Sequence, residues 1–145
     1  MTSRFLIAAT LLLAACHGAP KEALAVRDGW LRATPPGSTV AAAYFTLHNG
    51  GSTPVKIVAI DSPLAAQAQL HSMSMDGGMM QMREIPLPFE LAPGAELVLS
   101  PEGNHLMLEN LKAPIAAGAT GEVNLHFADG RSQTLRLPAK TEGDG

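Results

Sequence analysis

The chain has 145 residues, a net charge of −3 and a single cysteine, which fits one domain and excludes a disulfide or cysteine-zinc framework. Its acidic balance does not suit nucleic acid, whose binding surfaces are basic. A chain of this size buries roughly two thirds of its unfolded surface, enough for a core without covalent staples.

The first segment is a leader. Arg4 supplies a positive n-region, residues 5–13 an apolar h-region, and Ala14-Ala15 the small residues before a cleavage point, so 1–15 reads as a signal peptide too short to span a bilayer. The cysteine follows at once in Leu13-Ala14-Ala15-Cys16, which is similar to a bacterial lipobox, where the cysteine is lipidated and becomes the mature N-terminus. Ordinary cleavage leaving a free thiol is the alternative. Because one fatty chain binds a membrane only marginally and several anchor it stably, the lipobox reading gives a membrane-anchored lipoprotein of the periplasm and cell envelope, with 16–22 as its tether. Loss of 1–15 removes Arg4 and leaves nine Lys+Arg against thirteen Asp+Glu, a balance of −4.

From 23 to 138 the chain is a succession of short segments with period-two patterning, punctuated by Gly, Pro, Asn and Asp. Strands are expected over 26–33, 40–48, 54–60, 65–75, 79–85, 96–100, 105–108, 122–128 and 132–137, with a turn at Asn49-Gly50-Gly51 and a two-residue hairpin turn at Asp129-Gly130. No amphipathic helix stands out, and the fold class is an all-β antiparallel sandwich. Residues 139–145 form a polar tail.

The chemistry is concentrated in one window. The chain has seven methionines, and apart from Met1 all of them lie at 73, 75, 79, 80, 82 and 107, in company with His71 and His105. Methionine used as gap filler would be scattered among the strands. Thioether is a soft ligand and imidazole a borderline one, a pairing that suits Cu(I) and not magnesium, calcium or manganese. A blue-copper electron-transfer centre is excluded, because it needs a cysteine thiolate.

Alternate residues of a strand share a face, so His105 and Met107 point one way and Leu106 and Leu108 the other, into the core. His71, Met73 and Met75 share a face likewise, as do Met80 and Met82. A hairpin turn at Asp76-Gly77 would set His71 opposite Met82 and Met73 opposite Met80; a turn at Gly77-Gly78 would set Met73 opposite Met82. Both registers gather the ligands on one side, whereas a three-residue loop would separate them. Met73, Met75, Met79 and Met80 suit packing or a rim role as well as ligation, with Met73 and Met80 as auxiliary ligands. Asp76 and Glu84 are hard oxygen donors, poorly matched to soft copper. His48 and His126 read as surface or hydrogen-bonded residues, and His17 as tether.

These residues resemble the periplasmic copper chaperones called PCu(A)C, whose motif is His, ten residues, Met, about twenty-one residues, then His-x-Met. Here His71, ten residues, Met82 and the closing His105-x-Met107 match, with a middle spacing of twenty-two placed in a Pro-Gly-rich connection where insertion is cheap. The resemblance runs from about residue 23 to 138 and includes Asp28-Gly29-Trp30-Leu31-Arg32, Pro35-Pro36 and Ala42-Ala43-Tyr44-Phe45 to Asn49. It implies a cupredoxin-like β-sandwich that binds one Cu(I) through His71, Met82, His105 and Met107. It also implies delivery of that ion to the CuA subunit of cytochrome oxidase, alongside a Sco-type thiol protein. Some relatives add a His/Met-rich tail; this tail, KTEGDG, lacks it. Thioether ligands suit an oxidising envelope, since they form no disulfide and are lost only to sulfoxide.

Two other classes compete. A copper-buffering or resistance lipoprotein would bind the same ion without a client. An enzyme would use His71 or His105 as a general base with Glu84 or Asp76, but there is no GxSxG elbow and clustered methionine adds nothing to acid/base chemistry.

Overall fold

The computed structural model describes residues 24–141. Cys16 with its lipobox-like sequence, the leader and the 16–22 tether lie outside the described residues. Ten strands are present among them: β1 (Leu24–Arg32), β2 (Val40–Asn49), β3 (Val55–Asp61), β4 (Ala65–Asp76), β5 (Met79–Glu84), β6 (Phe89–Leu91), β7 (Glu96–Val98), β8 (His105–Leu111), β9 (Thr120–Phe127) and β10 (Ser132–Lys140). The strand order is β5-β4-β8-β2-β1-β10-β9-β3-β6, with β7 beside β2.

The period-two pattern places the core. Ala41, Ala43, Phe45 and Leu47 of β2, Leu70 of β4 and Leu106 and Leu108 of β8 face inward from one layer; Val123, Leu125 and Phe127 of β9 and Leu135, Leu137 and Ala139 of β10 meet them from the other. Each fully buried leucine or phenylalanine contributes about 1.5–3 kcal/mol. The polar positions between them face outward, as half-covered sheets require.

Four features differ from the expectation. The β1–β10 pairing is parallel, Leu31 beside Ala139 and Arg32 beside Lys140, so the sandwich is not wholly antiparallel. This contact joins the two ends of the domain, and no local pattern encodes it. A short strand, β6, lies in the Pro-rich connection and pairs with β3; three residues carry too little alternation to announce a strand. The polar tail begins later than 139, because β10 continues to Lys140 with Ala139 buried. Finally, the β9–β10 connection is a three-residue loop: Phe127 N donates to Arg131 O at 2.9 Å, Gly130 N to Phe127 O at 3.0 Å, and Gly130 takes φ 85°. A type I turn followed by a left-handed glycine is the three-residue hairpin solution.

Asn49 anchors the end of β2. It is fully buried, and its Nδ2 donates to Thr53 O at 2.8 Å and Leu91 O at 3.0 Å while its Oδ1 accepts from Gly51 N at 3.1 Å. One amide thus ties the β2–β3 turn to β6.

Candidate metal centre

β4 lies between β5 and β8, and both ladders are continuous through the site. On one side His71 is directly opposite His105, Leu70 opposite Leu106 and Gln69 opposite Met107. On the other, His71 faces Glu84, Met73 faces Met82 and Met75 faces Met80, with Asp76 and Met79 closing the turn. The hairpin therefore turns at Gly77-Gly78. Both glycines have positive φ, 58° and 82°, as a two-residue turn of this kind demands at both central positions, and glycine accepts this without a Cβ penalty. Asp76-Gly77 would force an aspartate there, and the register it implies, His71 opposite Met82, is not the one formed. Met82 instead stands diagonal to His71, about 7–8 Å away in such a ladder.

Residues opposite each other in a ladder share a face. His71, Met73, Met75, Met80, Met82, Glu84, His105 and Met107 consequently all lie on the outer face, with Leu70, Leu106 and Leu108 beneath them in the core. Met79 pairs with Asp76 and falls on the reverse face.

The two histidines are the buried polar residues of this face. Each is only 8% exposed, and their rings stand edge to face at 5.6 Å between centroids. His105 Nδ1 lies 3.2 Å from Gly103 O. A carbonyl only accepts, so Nδ1 donates, and in the neutral ring Nε2 keeps a free lone pair. A metal-binding imidazole is oriented in this way, by a hydrogen bond on its other nitrogen. His71 Nδ1 is buried and has no hydrogen-bond partner. Leaving such a group unpaired costs about 1–3 kcal/mol, a cost that ligation of a cation would offset. No cluster of three or more His, Cys, Asp or Glu able to hold a metal occurs among the described residues. Two imidazoles flanked by Met107, Met73 and Met82 form a neutral N/S donor set suited to a soft monovalent ion.

The other histidines are engaged elsewhere. His48 Nδ1 is 3.4 Å from Glu96 Oε1, which also binds Arg27. His126 bridges Asp61 and Ser132, with its Nδ1 2.9 Å from Ser132 Oγ. One contributor was not legible in the sequence. The Gly103 carbonyl reaches His105 only because the loop folds on itself, Ser100 N to Asn104 O at 2.8 Å and Gly103 N to Ser100 O at 3.1 Å.

Comparison with known proteins gives the family of the chain. The family model described as "Putative lipoprotein LpqE-like" matches residues 24–139. The chain belongs to the LpqE-like lipoprotein family. It is 34% identical over 123 residues to "Putative lipoprotein Lxx21020" of Leifsonia xyli subsp. xyli (strain CTCB07), a match that covers 85% of this chain and 73% of that protein. Among solved structures, this LpqE-like domain is similar to CuI-DR1885 from Deinococcus radiodurans (31% identity, TM-score 0.63, 90% of this chain and 85% of that one). It is also similar to the apo PCuAC domain from PmoF1 (25% identity, TM-score 0.66, 83% and 95%). The kinship with PCu(A)C proteins and the cupredoxin-like β-sandwich expected from the sequence are both borne out.

Proposed function

We propose that this LpqE-like protein is an envelope copper carrier that binds one Cu(I) as its cargo through His71, His105, Met107 and Met82. Of the auxiliary sulfur donors expected from the sequence, Met73 stands on the rung of Met82 and belongs to this site, and Met80 stands one rung further out. The observation that carries the reading is the in-register pair of buried imidazoles, one oriented through its Nδ1 and the other with an unpartnered Nδ1, on a face otherwise supplied with thioethers. Kinship with a protein solved in its CuI form supports it.

The ligands stand on the outer face of the sheet, where the sulfur or imidazole of an incoming protein can join the ion before the carrier's own ligands leave. Neutral donors hold a cation less strongly than thiolates do, so the ion passes to a thiol-bearing acceptor. The acceptors this reading assigns are a Sco-type thiol protein and the CuA subunit of cytochrome oxidase. Lipidation at Cys16 keeps the carrier at the membrane surface where such an acceptor sits. Mass spectrometry of membrane-extracted protein should find acyl chains on Cys16, and Cys16→Ser should release the domain in soluble form.

Anaerobic Cu(I) titration against a competing chelator tests binding, and stopped-flow transfer to a reduced dithiol acceptor tests delivery. The transfer rate should rise with acceptor concentration, through a shared-ligand complex. A rate flat at the spontaneous off-rate would give a copper-buffering lipoprotein in place of a chaperone, and no binding at one equivalent would end the copper reading.

A further inference from the structure

The β4–β8 ladder stops at His71 opposite His105, while the β4–β5 ladder continues to Asp76 opposite Met79. Beyond the histidines, then, the hairpin is a two-stranded ribbon with no third strand beside it. Such a ribbon has little core of its own, yet this one is loaded with apolar side chains: Met75 is 66% exposed, Met80 54% and Met82 53%. Exposure on that scale rules out packing as the reason for these methionines, and contiguous exposed apolar surface marks a binding function.

Their placement is not random around the ribbon. Met73, Met75, Met80 and Met82 lie on one face in two rungs, and the other face carries Ser72, Ser74, Asp76, Gln81 and Arg83 together with Met79. The polar face is occupied with itself: Arg83 Nη2 donates to Gln81 Oε1 at 3.0 Å and lies 3.6 Å from Asp76 Oδ2. The rung type follows from the hydrogen bonding. Ile85 N donates to Leu70 O at 2.7 Å, which makes 70 and 85 a hydrogen-bonded pair. The alternate rungs 71/84, 73/82 and 75/80 are then of the non-hydrogen-bonded kind, in which the Cα atoms stand only about 4.5 Å apart and the side chains are closest. Two unbranched thioethers on such a rung, each with three rotatable bonds, can bring both sulfurs onto one ion without moving the backbone. The neighbouring rung, about 6.6 Å along the strands, supplies a third.

We infer that Met75 and Met80, with Met73, form a second site at the hairpin tip, an all-thioether site for a soft monovalent cation, outboard of the paired histidines. No carboxylate or imidazole of the ribbon shares this face until Glu84 on the His71 rung. The site is therefore neutral and sulfur-only, a donor set that selects Cu(I) or Ag(I) over Cu(II) and zinc. Met82, on the rung between tip and histidines, connects the two sites. The tip site stands on Met75 and Met80 independently of the His/Met site proposed above; only its connection to that site through Met82 rests on that reading.

The test is a titration of methyl-¹³C-methionine protein by NMR, with Cu(I) under anaerobic conditions and Ag(I) in parallel. The wild type should bind two equivalents. The first should move the methyl of Met107 and the second those of Met75 and Met80, while Met79 on the reverse face stays still. M75L/M80L, which keeps the apolar volume and removes the sulfur, should lose one equivalent and leave the Met107 response unchanged. H71A/H105A should lose the other equivalent and keep the tip response. Saturation at one equivalent with the tip methyls unmoved overturns the proposal, as does a stoichiometry in M75L/M80L equal to that of the wild type. If H71A/H105A instead binds as many ions as the wild type and M75L/M80L still loses one, the tip site stands and the histidine site is the one refuted.

Discussion

Replacing His71 by leucine separates a binding residue from a structural one. In the apo protein the imidazole is 8% exposed and its Nδ1 has no partner, so the fold carries about 1–3 kcal/mol of unrecovered desolvation at this atom. Leucine removes the polar group at similar volume, and imperfect shape returns less than about 1.5 kcal/mol. The apo variant should be as stable as the wild type or up to about 2 kcal/mol more so. At roughly 3–6 °C per kcal/mol for a domain of this size, that is a rise in Tm of up to about 10 °C. Copper should act in the opposite sense. With free Cu(I) buffered at a hundred times Kd, the wild type gains about 2.7 kcal/mol, and the variant should lose most of this gain. The assay is urea or thermal unfolding with and without chelator-buffered Cu(I). Destabilisation of the apo variant by more than 2 kcal/mol would make His71 a packing residue, and an undiminished copper-dependent shift would remove it from the ligand set.

Leu106→Ala, at a position with no exposure, should cost about 2–5 kcal/mol in chemical denaturation, whereas Met107→Ala one residue on should change stability by less than about 1 kcal/mol and weaken Cu(I) retention in the chelator assay. Asn49→Ala breaks three hydrogen bonds in a buried site and, at about 0.5–1.5 kcal/mol each, should lower unfolding stability by roughly 2–4 kcal/mol without altering copper stoichiometry. Protons compete with the ion for imidazole, so Cu(I) affinity should fall as the solution is acidified; an affinity constant from pH 5 to 8 would exclude histidine ligation. Hydrogen bonds from Asn124 and His126 hold the Asp61 carboxyl below its ordinary 3.8. A depressed carboxylate stabilises the fold above pH 3.8, and that contribution is lost as pH falls through the lower folded-state value. Because the pair is solvent-exposed, the effect should stay below about 1 kcal/mol, and Asp61→Asn should abolish it in acid-unfolding curves.

Local chemistry wrote much of this protein directly into its sequence. Period-two alternation exists wherever one face of a strand meets a core, so Leu106 and Leu108 against His105 and Met107 could be sorted from spacing alone. The softness of thioether and imidazole belongs to the side chains themselves, so the window from His71 to Met107 announced its ion without a fold. The hairpin register was legible only to within a choice of turns, because Asp76-Gly77 and Gly77-Gly78 are both plausible pairs and the positive φ of both glycines decides between them. What remained belonged to tertiary structure. The pairing of β4 with β8, which sets His71 against His105, joins segments more than thirty residues apart, and sequence separation carries no register. The parallel contact of β1 with β10, the hydrogen bond from His105 Nδ1 to Gly103 and the burial that leaves His71 Nδ1 without a partner arise only when the layers close. Residue types point to a soft ion; long-range strand pairing decides which of those residues stand together.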